Sequence, residues 1–165
     1  MKVNLKSLQM RTMDSEEFHL SAQGRDSFLS DIGGRFLEPV VVDLLIENTD
    51  NMFIGRGKVS TTIALTCGRC LEEFKYPITT DLTLTVSESS GHGEDGEVIV
   101  LEDSQAEIMP RIEEEIFSLI PLNPLCSEEC KGLCPFCGVN RNLTTCSCGK
   151  NDIDPRWEKL KQLKK

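Results

Sequence analysis

The chain has 165 residues, 39% of them hydrophobic and 27% charged, an ordinary globular composition that excludes disorder throughout. No apolar run approaches the ~20 residues of a membrane-spanning helix, and Met1 to Met10 is too polar for a secretory signal, so a cytoplasmic location is expected. The formal net charge of -9 is uneven: residues 1–103 hold 9 Lys and Arg against 18 Asp and Glu, while residues 104–165 hold 9 of each. Non-specific nucleic-acid binding relies on Lys and Arg releasing counterions from phosphates. An acidic body argues against it, so any contact with RNA must be local or pass through a protein partner.

In chain order, residues 39–48 (PVVVDLLIEN) and 57–66 (GKVSTTIALT) show the β-branched enrichment of strands. In the second, Val59, Thr61, Ile63 and Leu65 share one face, which is expected to be buried. A further strand is predicted from Glu73 to Val86, so that Cys67-Gly68-Arg69-Cys70 stands at a hairpin tip. Residues 87–97 (SESSGHGEDGE) read as a flexible loop, with His92 solvated rather than a metal ligand. A short strand, Val98 to Leu101, leads into a helix with Ile108, Ile112, Ile116 and Leu119 at helical spacing. Ser104 and Glu107 have the spacing of a capping box, but Pro110 would then break the helix from inside, so Pro110 is read as the first helical residue. Pro121 and Pro124 lie beyond its end. A last short helix is predicted from Asp154, as N-cap, through Pro155 and Trp157, followed by a basic tail.

The resulting fold class is α+β: a mainly antiparallel sheet with a packed helix and a C-terminal cysteine-rich zinc knuckle. Residues 1–121 form the body with the hairpin C-x2-C, and residues 122–165 form the cysteine-rich zinc-binding segment and the short C-terminal helix.

Eight cysteines in a reducing compartment point to metal ligation, with zinc the default ion. Two thiolates from one tight turn can reach a single ion, and Cys67-x2-Cys70, Cys134-x2-Cys137 and the closing Cys146-x-Cys148 meet that constraint. Cys126-x3-Cys130 is looser. The most compact partition places Cys134, Cys137, Cys146 and Cys148 on one ion and Cys67, Cys70, Cys126 and Cys130 on a second. The alternative is a single ion held by four of the six C-terminal thiols, with Cys67 and Cys70 free or redox-active. Four thiolates fill a tetrahedron and leave no position for water, so neither site reads as catalytic. His19 and His92 are isolated and no serine lies in a nucleophile elbow, and the chain reads as a non-enzyme.

Five features together resemble the YceD family, described as large ribosomal RNA subunit accumulation proteins. They are Cys67-Gly68-Arg69-Cys70-Leu71, the helix with Glu114-Glu115 running into Leu119-Ile120-Pro121, Cys130-Lys131-Gly132-Leu133-Cys134-Pro135-Phe136-Cys137-Gly138, Cys146-Ser147-Cys148, and Asp154-Pro155-Arg156. The resemblance implies a bacterial or organellar protein, without enzymatic activity, that supports synthesis, processing or stability of the large-subunit ribosomal RNA. Its partners would be that RNA or a ribosomal protein, and Lys131, Arg141, Lys150 and Arg156 are the candidate phosphate contacts beside the knuckle. Each zinc on four thiolates carries a formal charge of -2, which offsets much of the local positive excess. Two other readings stand beside this one. One is a thiol redox enzyme or sensor using Cys67 and Cys70, although the pair lies between strands rather than at a helix N-terminus. The other is a zinc-stapled adaptor whose acidic sheet surface captures a basic protein.

Overall fold

Residues 40–48 place Val40, Val42, Leu44 and Ile46 on one side of the chain and Val41, Asp43, Leu45 and Glu47 on the other, the signature of a strand with one buried face. The computed structural model describes residues 1–11, 13–49, 52–88, 92–93 and 96–148. Its strands are β1 (Lys2–Asn4), β2 (Ser15–Ala22), β3 (Arg35–Phe36), β4 (Val40–Asn48), β5 (Phe53–Thr66), β6 (Glu73–Ser87), β7 (His92–Gly93), β8 (Gly96–Glu97), β9 (Ile99–Glu102) and β10 (Gln105–Glu107). The helices are α1 (Lys6–Gln9), α2 (Asp26–Leu29), which continues into a 3-10 turn, and α3 (Met109–Ser118). Among the described residues no helix is long and apolar enough to cross a membrane. The predicted helix after Asp154 lies outside the described residues.

Eight strands form one sheet in the order β1-β10-β9-β6-β5-β4-β2, with β3 pairing on β5, while β7 and β8 form a separate ladder. The sheet is mixed rather than antiparallel throughout: β6 and β9 run parallel, in register at Val86 with Ile99 and Ser87 with Val100. A tight turn joins antiparallel strands, whereas a parallel pair requires the chain to return before it pairs again. Inside residues 87–97, expected as a flexible loop, His92–Gly93 and Gly96–Glu97 pair as the β7–β8 ladder, a backbone pairing that no side-chain pattern announces.

The long β5–β6 hairpin is in register from Phe53 with Val86 to Thr66 with Glu73. Val59, Thr61, Ile63 and Leu65 are buried, as their alternation requires. α3 packs on β6, with Ile108, Ile112 and Ile116 fully buried. It starts at Met109, with Pro110 in its first turn where a missing N–H costs nothing. Ser104 instead turns the chain between β9 and β10, with φ of +61°. Leu119, predicted on the same apolar stripe, is 41% exposed because the helix ends one residue before it. Glu113 is also buried in α3, where its carboxylate receives the guanidinium of Arg25 from the start of α2, at 2.8 Å from Nε. At the far end of β4, Asn48 donates to the carbonyls of Leu8 and Arg11 at 2.7 and 3.1 Å, tying α1 to the sheet.

Candidate metal centre

The β5–β6 hairpin closes through residues 67–72, and the closure is stiff. Cys67 N–H donates to Glu72 O at 2.9 Å and Leu71 N–H donates to Cys67 O at 2.9 Å, with Leu71 at φ +59°. The same three elements recur at Cys134: its N–H donates to Val139 O at 2.8 Å, Gly138 N–H donates to Cys134 O at 2.9 Å, and Gly138 has φ +72°. Both C-x2-C turns are therefore one local structure, a knuckle that points two sulfurs the same way. The knuckles touch directly, since Leu133 N–H donates to Arg69 O at 3.0 Å.

After α3 the chain returns to the first knuckle. Gly68 N–H donates to Pro124 O at 2.8 Å, and the Asn123 side chain lies against Gly68, so that a Cβ there would have to displace Asn123 Oδ1. Arg69 Nη1 then holds the carbonyls of Glu128 and Cys130, each at 3.0 Å. These contacts deliver Cys126 and Cys130 to Cys67 and Cys70.

Two four-sulfur groups result, Cys67 with Cys70, Cys126 and Cys130, and Cys134 with Cys137, Cys146 and Cys148, the sulfurs of each lying within 4.8 Å of one another. In the first, Cys67 and Cys130 sulfurs are 3.8 Å apart and Cys70 and Cys126 sulfurs 3.7 Å. Four sulfurs at ~2.3 Å from a central ion form a tetrahedron with edges of ~3.8 Å. A disulfide needs ~2.05 Å, so these spacings fit a metal and not a covalent pair. Cys67, Cys70 and Cys130 are buried, as is Cys134 of the second group, while Cys126, Cys137 and Cys148 are exposed.

The charges fit a cation as well. Burial pushes the Cys67 thiol up, but the main-chain N–H groups of Cys126, Cys70 and Arg69 prevail and bring it down to about 6. The Asn142 amide lowers Cys130. Cys126, hydrogen-bonded to Cys130, is pushed up to about 12. In the second group the N–H groups of Cys137 and Phe136 bring Cys134 down to about 6, while Cys148 is pushed up to about 11 beside Cys137 and Cys146 is raised beside Cys134. Each group thus welcomes the first negative sulfurs and resists the rest, which makes full deprotonation dependent on a cation at its centre.

Of the candidate phosphate contacts, Lys131 and Arg141 are exposed beside the knuckles, and Lys150 and Arg156 lie outside the described residues. His19 hydrogen-bonds Asp43 on the sheet surface and joins neither sulfur group. Two residues with site roles escaped the sequence reading: Arg69, which clamps the returning chain, and Asn142, whose Nδ2 donates to Cys130 Sγ at 3.3 Å. The signal available for the second was an Asn140-Arg141-Asn142 run between cysteines, since asparagine favours side-chain hydrogen bonds over regular structure.

A mainly β body carrying two four-cysteine groups, one of them built across a hairpin tip, defines a class of small sheet proteins with potential metal staples. The chain belongs to the YceD family, because the model described as large ribosomal RNA subunit accumulation protein YceD matches residues 55–164 and so takes in all eight cysteines. It is similar to the uncharacterised protein YlbN of Bacillus subtilis, 32% identical over 109 residues that cover 65% of this chain and 63% of the relative. An uncharacterised protein of Mycobacterium tuberculosis is 27% identical over 129 residues, covering 74% of this chain and 60% of the relative. A chloroplast protein of Arabidopsis thaliana, named large ribosomal RNA subunit accumulation protein YCED homolog 1, is 27% identical over 138 residues, with 66% and 43% covered. The chain spans about 60% of the length of the mycobacterial relatives. No solved structure matches it.

Proposed function

We propose that the protein is a non-enzymatic cytoplasmic factor that supports accumulation of large-subunit ribosomal RNA, acting in ribosome assembly by binding that RNA or a ribosomal protein. The observation that carries this is the family match across residues 55–164. In this reading Cys67, Cys70, Cys126 and Cys130 hold one zinc and Cys134, Cys137, Cys146 and Cys148 hold another. Zinc with four thiolates has no open position and no redox chemistry, so its contribution is to fix the fold. The first zinc joins the body, residues 1–121, to the cysteine-rich segment, residues 122–165.

The net charge of -9 favours a basic ribosomal protein as the first partner, since long-range attraction speeds such encounters and repels bare RNA. Lys131, Arg141, Lys150 and Arg156 are then the local phosphate contacts where RNA is met. The depressed Cys67 thiol favours a second reading, a redox enzyme or sensor at Cys67 and Cys70. Against it, Cys67 is 0% and Cys70 3% exposed, which leaves no approach for an incoming thiol or disulfide.

The test is to deplete the protein in its host cells and measure the ratio of large-subunit to small-subunit ribosomal RNA. The ratio is expected to fall, to recover with the wild-type chain, and not to recover with Cys67→Ser, Cys70→Ser. An unchanged ratio on depletion would remove the proposal.

A further inference from the structure

We infer that Asn142 couples the two four-cysteine groups, so that metal at Cys134, Cys137, Cys146 and Cys148 strengthens metal binding at Cys67, Cys70, Cys126 and Cys130. Asn142 lies in residues 138–145, the stretch whose two ends are fixed by Cys137 and Cys146 of the second group. Its side chain nevertheless serves the first group. Oδ1 accepts the main-chain N–H of Lys131 at 2.7 Å, and Nδ2 donates to Cys130 Sγ at 3.3 Å and to Asn140 Oδ1 at 2.9 Å. Because the oxygen is engaged by an N–H, the nitrogen must face the sulfur, and the amide has a single orientation.

The turn presenting it is built by Asn140. The Asn140 carbonyl accepts N–H groups from Leu143 at 3.1 Å and Thr144 at 3.1 Å, and its side-chain oxygen accepts the N–H of Asn142 at 3.0 Å. Arg141 N–H donates to Gly132 O at 2.9 Å, which holds the same turn to the strip between Cys130 and Cys134. Closing the stretch at both ends removes its freedom before Asn142 is needed at Cys130. A chain anchored only at Cys137 would have to lose that freedom when the first group fills. Hydrogen bonds to metal ligands are typically worth about 10–100-fold in affinity, which sets the size of the coupling. Coupling between binding sites is reciprocal, so each group gains by the same factor from the other's occupancy.

This inference rests on the reading that both groups hold zinc, and the experiment separates the two. The full chain is loaded with zinc and titrated with a chromogenic chelator, with ions counted by elemental mass spectrometry and released thiols identified by alkylation and peptide mapping. The wild type is expected to hold two ions and release them together. Cys146→Ser, Cys148→Ser is expected to keep one ion at the first group, bound about 10–100-fold more weakly. Asn142→Ala and the near-isosteric Asn142→Leu are expected to keep two ions but to expose Cys67 and Cys70 first, with circular dichroism showing the sheet intact. Unchanged affinity at Cys67, Cys70, Cys126 and Cys130 in the cysteine pair variant, or in both Asn142 variants, would overturn the coupling. A wild type without metal would instead overturn the zinc reading.

Discussion

Leu71 and Gly138 occupy the same position in the two knuckles, each donating its N–H to the first cysteine's carbonyl, and of the two glycine is the better suited to the left-handed backbone found there. A left-handed residue with a side chain costs about 1–2 kcal/mol, while glycine costs about 0.5–1 kcal/mol through the freedom of the unfolded chain. Leu71 is 65% exposed and contributes little burial. Leu71→Gly is therefore expected to stabilise the protein by up to about 1 kcal/mol in urea denaturation of the metal-loaded chain. Gly132 and Gly138 form a second comparison. Both have positive φ, but a Cβ at Gly132 would meet Arg69 O at 2.9 Å whereas one at Gly138 meets nothing within 4 Å. Gly138→Ala is expected to cost up to about 1 kcal/mol, the same balance in reverse, and Gly132→Ala more, because it also separates the knuckles. Equal costs would show that the approach of Gly132 to Arg69 is not a structural requirement.

At the scale of elements, α3 supplies the clearest contrast. Ile112 is fully buried against the sheet and Leu119 is 41% exposed past the helix end. Ile112→Ala is expected to cost about 2–5 kcal/mol, and Leu119→Ala less than about 0.5 kcal/mol, both read from urea midpoints. Removing Arg25 leaves the buried Glu113 carboxylate without its partner, so Arg25→Ala is destabilising and Arg25→Ala with Glu113→Leu is expected to recover part of the loss. β4, β5, β6 and α3 were legible in the sequence because each is long enough to display its period. β1 and β10 have three residues each, too few for a pattern, and pair only because the first strand reaches the hairpin before α3. The two C-x2-C turns were legible from spacing, since that motif is a local constraint, whereas grouping Cys67 and Cys70 with Cys126 and Cys130 was the more compact of two open alternatives. Arg69 and Asn142 were not, because their roles arise where the chain after α3 meets the hairpin tip, and no local pattern encodes that meeting.

Across the whole molecule, two different kinds of cohesion divide the chain. The sheet and α1–α3 share one apolar core, whereas residues 122–148 contribute to the second buried cluster only around the sulfurs, with Leu125 and Phe74 packed beside Cys67, Cys70 and Cys130. Metal removal should consequently act on one part. Chelation is expected to open residues 122–148 to protease while β5 and β6 remain protected, as read by limited proteolysis and mass spectrometry. Uniform degradation, or no change, would contradict that division. Metal binding requires deprotonated thiols, so the same opening is expected as the pH falls and the sulfurs take up protons.

The most direct test of the account is the metal content of chain purified without added zinc, measured by elemental mass spectrometry alongside thiol titration under native conditions. Two zinc ions per chain with none of the eight thiols reactive is the predicted result. One ion with Cys67 and Cys70 titrating freely, or no metal at all, would contradict it.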